Sequence, residues 1–139
     1  MTIQEIKKEF FAYRNGIVAD VYRKAGAPYS VIFGLQLPQL SAIASGARDK
    51  GQGTEKISEL SRELWADKSC RESRLLACYL FDPQAVSVEQ AAELARDCQT
   101  QEEADMLAFR LLSRMPDAEK LLKEIADTPA GRSLAGRLE

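Results

Sequence analysis

Apolar residues recur at intervals of three and four along most of this chain, and those intervals mark out helices. Four such sets follow one another between Ile57 and Met115 with short interruptions. They are Ile57, Leu60 and Leu64; Leu75, Leu76, Tyr79 and Leu80; Val88, Ala91, Ala92 and Ala95; and Leu107, Ala108, Leu111 and Met115. Each set lies on one stripe of a helix and needs an apolar neighbour, and short connections make the next helix in sequence the expected one. Upstream, Ile3, Ile6, Phe10 and Tyr13 predict a helix from Ile3 to about Tyr13, broken at Asn15-Gly16. A second is expected over Ile17 to Lys24, stopped by Gly26-Ala27-Pro28. Val31-Ile32-Phe33 has strand propensity but no second strand to pair with, so an extended connector ending at Gly34 is expected.

Pro38 suits the first position of a helix carrying Leu40, Ile43 and Ala44. The stretch from Gly46 to Gly53 reads as the clearest exposed loop, and Thr54 as the N-cap of the helix that follows. Ser87 with Gln90, and Thr100 with Glu103, match the capping box. Met115-Pro116-Asp117 precedes a helix carrying Leu121, Leu122 and Ile125, and Thr128-Pro129 opens a last one with Leu134 and Leu138. Starts expected at Thr54, Ser87 and Asp117 lie 33 and 30 residues apart, and starts at Pro38, Ser69 and Gln101 lie 31 and 32 apart. A period of about thirty with a helix pair per unit is the mark of an α-solenoid. The expectation is a single all-α domain over 1–139, a HEAT-like, armadillo-type right-handed stack of about eight or nine helices.

Composition narrows the function classes. Apolar residues make up 45% and charged residues 29% of 139, a folded and soluble balance. No apolar run approaches the ~20 residues of a membrane span, and the N-terminus lacks the apolar region of a secretory signal. A cytoplasmic protein with no membrane partner is expected. The net charge is −2, which argues modestly against nucleic-acid binding by charge alone, although one face can still be basic. There is no histidine, and Cys70, Cys78 and Cys98 form no CxxC pair. Neither a zinc site nor a histidine-based triad is therefore expected, and the cysteines read as buried, reduced thiols. No metal or other cofactor is implied.

Two motifs resemble the AlkD-type DNA alkylation-repair family of HEAT-like repeat proteins. Gly34-Leu35-Gln36-Leu37-Pro38-Gln39-Leu40 is similar to that family's Gly-x-x-x-Pro-x-Leu lead-in to a repeat helix. Glu63-Leu64-Trp65 followed by Arg71-Glu72-Ser73-Arg74-Leu75-Leu76-Ala77 is similar to its Glu-Leu-Trp…Arg-Glu-x-Arg-x-x-Ala helix pair. The resemblance spans roughly Ile32 to Met115 and implies a protein that excises alkylated bases on a concave helical surface. The family's catalytic segment has a pattern like Trp-Trp-Asp-x-x-Asp, and Thr100-Gln101-Glu102-Glu103-Ala104-Asp105 stands in its place. Asp105 thus matches the catalytic Asp, while Thr100 and Gln101 replace the tryptophans.

The residues themselves allow two readings each. Asp105 shares a stripe with Phe109 and Leu112, where a carboxylate can stabilise a developing cation; acids near a helix N-terminus also simply suit its dipole. Trp65 can stack on a base or fill a gap between helices. Arg71 and Arg74 can grip a phosphate or make ion pairs within the repeats. Arg14, Arg23, Lys24, Arg48 and Lys50, interspersed with Tyr13, Tyr22 and Tyr29, can hold a DNA backbone or be solvated helix ends. Two functions follow. One is a double-stranded-DNA-binding relative of alkylated-base glycosylases with Asp105 as the catalytic carboxylate; the other is a non-catalytic scaffold holding a protein on a concave face.

Overall fold

Local capping sets most of the helix boundaries. The computed structural model describes residues 1–50 and 53–138, so Gly51 and Gln52 of the expected loop lie outside the described residues. Among the described residues there are nine α-helices and one 3-10 turn. They form two compact units, Met1–Leu80 and Phe81–Glu139.

The first unit holds α1 (Ile3–Ala12), α2 (Gly16–Lys24), α3 (Leu37–Asp49), α4 (Thr54–Ala66) and α5 (Arg71–Leu80). Thr2 and Glu5 close a capping box on α1, and the Asn15 side chain accepts the amides of Ile17 and Val18 to start α2. The chain reaches α4 through Gly53 as N-cap, so Thr54 is the first helical residue rather than the cap. α1 packs on α4, while α3 and α4 both pack on α5. All ten residues of α5 are buried. Its sequence predicts one apolar stripe, but it is the central helix of the unit and has no solvent face.

Val31 makes an isolated parallel bridge with Cys70 rather than joining a sheet. The connector from there to Gly34 belongs to no helix or strand. Gly34 has φ of +87°, and an added Cβ would stand 2.2 Å from the Asn15 carbonyl oxygen. Only glycine fits that approach.

The second unit holds α6 (Val88–Arg96), α7 (Gln101–Arg110), a 3-10 turn (Leu112–Arg114), α8 (Ala118–Ile125) and α9 (Pro129–Leu138). Ser87 and Gln90 form the expected capping box. Ala91, Ala95, Leu107, Leu111, Leu121, Ile125 and Leu134 make its core. α7 packs on α9 and α6 on α8, so here the main neighbour is often the helix after next, not the next in sequence. Gly131 lets α9 meet the end of α8: a Cβ there would stand 1.8 Å from the Ile125 carbonyl oxygen.

Candidate functional site

The polar face shared by α7 and α9 begins at a capping turn. Thr100 Oγ1 accepts the Glu103 amide at 3.1 Å. Glu103, itself buried, accepts the Gln99 amide at 2.9 Å. The reciprocal arm of the expected capping box therefore lands on Gln99 instead of Thr100. With Glu103 engaged there, Asp105 is the acid on the exposed side of the helix.

Two neutral donors hold the Asp105 carboxylate. Gln101 Nε2 donates to Oδ1 at 2.9 Å, and Ser133 Oγ of α9 donates to the same oxygen at 2.5 Å. Gln101 Nε2 also lies 3.4 Å from Ser133 Oγ, which closes a three-residue network. Gln101 stands where the resembled motif carries a tryptophan, and its amide positions the acid instead of offering a stacking surface. Oδ2 meets no donor among the described residues.

One turn further along α7, Phe109 is 38% exposed. The guanidinium carbons of Arg137, Arg110 and Arg114 lie 4.3, 5.1 and 5.5 Å from its ring centroid. Such distances are those of cation–π attraction. Arg137 follows Ser133 by one turn of α9. The same two helices thus carry a positioned carboxylate at one end and an aromatic ring among cations at the other. The carboxylate can attract a developing positive charge, and the cations can attract an anion. The sequence signals Asp105 but not Ser133 or Arg137, because nothing in the chain pattern pairs residues 28 apart.

The first unit disposes of its expected DNA-binding residues differently. Arg71, Arg74 and Trp65 are at most 6% exposed, so in this structure they do not form a surface for DNA. Arg74 Nη1 donates to the Trp65 carbonyl at 2.7 Å, and its guanidinium stacks 3.6 Å from the Trp65 ring centroid. Arg71 donates to the Leu35 carbonyl at 2.9 Å, to the Tyr22 hydroxyl at 2.9 Å and to Glu72 at 2.7 Å. Glu72 in turn accepts the amides of Phe33, Gly34 and Leu35 at 2.9, 3.1 and 3.3 Å. These charges are interior because α5 is, and the interior reading of each is the one that fits.

Arg14, Arg23, Lys24, Arg48 and Lys50 are exposed. Arg14 lies 3.9 Å over Phe11, Arg23 bonds Asp20 at 3.4 Å, and Arg48 donates to the Tyr79 carbonyl. Of the three tyrosines near them only Tyr13 is exposed, since Tyr29 is buried and Tyr22 sits beneath Arg71. Elsewhere in the unit, burial raises the Asp67 carboxyl but the bonds from Lys7, Ser73 and Ser69 outweigh it, leaving it below its ordinary 3.8. Burial pushes the Cys70 thiol up, and Cys70 and Cys78 are buried while Cys98 is partly so. Among the described residues, no group of three or more His, Cys, Asp or Glu side chains is placed to hold a metal ion. Among the same residues no helix is long and apolar enough to cross a membrane.

A family model described as DNA alkylation repair enzyme matches residues 6–130. No curated protein and no solved structure matches the chain.

Proposed function

The chain belongs to the DNA alkylation repair enzyme family, and from that premise we propose that it binds DNA and acts on alkylated bases through the α7–α9 face. The observation that carries this reading is the Asp105 carboxylate, fixed by Gln101 and Ser133 beside a cluster of guanidiniums. Packing of helices two apart, α3 on α5, α6 on α8 and α7 on α9, supports a HEAT-like repeat architecture.

An alkylated base leaves with the electron pair of its glycosidic bond, and positive charge develops on the sugar. Asp105 stabilises that charge, and water then adds to the sugar carbon and loses a proton. The magnitude depends on enclosure. At 4 Å the attraction is about 1 kcal/mol in bulk water but about 4 kcal/mol at an effective dielectric of 20. An exposed Asp105 therefore becomes effective only when docked DNA displaces its water.

The test is fluorescence anisotropy with intact and abasic-site duplexes across a salt series, then base release by the wild type and Asp105→Asn. Asparagine keeps the acceptor that Gln101 and Ser133 use but removes the charge. The reading expects salt-sensitive binding that Asp105→Asn preserves, and base release that falls by about 100-fold or more. Absence of binding at low salt to these duplexes and to a single strand of the same sequence refutes it. A second reading, a scaffold for a protein partner, is favoured by the exposure of Ile17 (81%) and Val21 (63%) one turn apart on α2, and of Phe11 (57%) on α1.

A further inference from the structure

We infer that Phe109 is a stacking platform for an unpaired base, with Arg114 and Arg137 holding the adjoining phosphates, so that the α7–α9 face prefers single-stranded DNA. This rests on the DNA-binding reading and gives it a substrate form. Three elements contribute: Phe109 and Arg110 from α7, Arg114 from the 3-10 turn and Arg137 from α9. Their positive charges repel one another, yet they converge on one ring in a chain whose net charge is −2. Among the described residues neither Arg114 nor Arg137 pairs with a carboxylate. A cluster of this kind is completed by an anion, and the planar guanidinium fork matches a phosphate.

The ring specifies the rest. Phe109 follows Met106, Leu107 and Ala108, all buried, but is itself exposed where a polar residue would serve helix and solvent equally well. Aromatic rings beside basic groups stack on bases in single-strand-binding proteins, with little regard for sequence. In a duplex the faces of the bases are already covered by their neighbours, so a ring lying on a helix surface meets a base face only where the base is unpaired. The placement also suits the chemistry proposed for Asp105. Four residues along a helix are about 6 Å, so a base stacked on Phe109 brings its sugar toward that carboxylate.

The test uses the full chain with a fluorescein-labelled sixteen-nucleotide single strand and the blunt duplex of the same sequence, in a salt series. Phe109→Ala, Phe109→Trp, Arg114→Gln and Arg137→Gln are compared with wild type, each checked for fold by circular dichroism. The expected result is tighter binding of the single strand. Phe109→Ala weakens it by about 5- to 150-fold, the range of one lost stacking contact, while sparing the duplex. Phe109→Trp restores it. Each arginine substitution lowers the single-strand salt slope by about 0.7, and Phe109→Ala leaves the slope unchanged. If Phe109→Ala has no effect, or weakens both forms equally, the stacking role is wrong while DNA binding stands. If the wild type binds neither form, the DNA-binding reading fails and this inference fails with it.

Discussion

Replacing Glu72 with glutamine tests the account of the buried charges most directly. The carboxylate is fully buried and accepts from Phe33, Gly34, Leu35 and Arg71. Glutamine keeps the shape and one acceptor oxygen. It puts an amide donor against main-chain amides and leaves the Arg71 guanidinium without its counter-charge. Removing one partner of a buried pair costs about 3–5 kcal/mol. An unsatisfied buried donor costs about 1–3 kcal/mol, a loss that overlaps the first and does not add to it. For a chain of this length the unfolding entropy near the midpoint is about 0.3 kcal/mol/K, so the midpoint should fall by roughly 10–17 °C. Thermal unfolding followed by far-ultraviolet circular dichroism reads this. Arg71→Met with Glu72→Gln should be less destabilised than the sum of the single variants, since the double variant removes both charges. A Glu72→Gln midpoint within about 3 °C of wild type, which corresponds to less than 1 kcal/mol, would refute the reasoning.

Two glycines of α9 should respond to alanine with opposite signs. Gly131→Ala drives its methyl into the backbone at Ile125 and should destabilise by about 1–3 kcal/mol or more, whereas Gly136 has no atom within 4 Å and alanine there should stabilise by about 0.4–1 kcal/mol. Urea midpoints of the two variants check both. Gly34→Ala combines a positive φ with the clash at Asn15, and should yield little folded protein by circular dichroism. The Asp67 carboxyl is held below 3.8, so its contribution is fully present above that pH and is lost as pH falls through the lower folded value. Asp67→Asn should flatten stability against pH in that acid window by less than about 1 kcal/mol, because its partner Lys7 is 43% exposed.

Helix positions were largely legible because caps and apolar spacing are local. Asn15, Ser87 and Thr128-Pro129 each mark a start to within a residue or two. The central position of α5 was not. Spacing shows which side of a helix is most apolar, not whether its remaining sides meet solvent, and Arg71, Glu72 and Arg74 look like an exposed first turn. For Arg71 and Glu72, the partners Tyr22, Leu35 and the amides of 33–35 lie 36 to 49 residues away. The site divides in the same way. Asp105 and Phe109 share a helix and could be named together, whereas Ser133 and Arg137 come from another helix and become neighbours only through packing.

The grip of Glu72 on the connector also sets an order of events during synthesis. Three successive amides at 33–35 find their carboxylate only across a span of 37 to 39 residues. Until α5 has left the ribosome the turn at Gly34 has no carboxylate to close on, and α1 and α2 wait as separate, marginal helices. The ribosome must therefore release more than seventy residues before the first thirty-five are locked, so the exposed apolar face of α2 meets the cell before its own unit is complete.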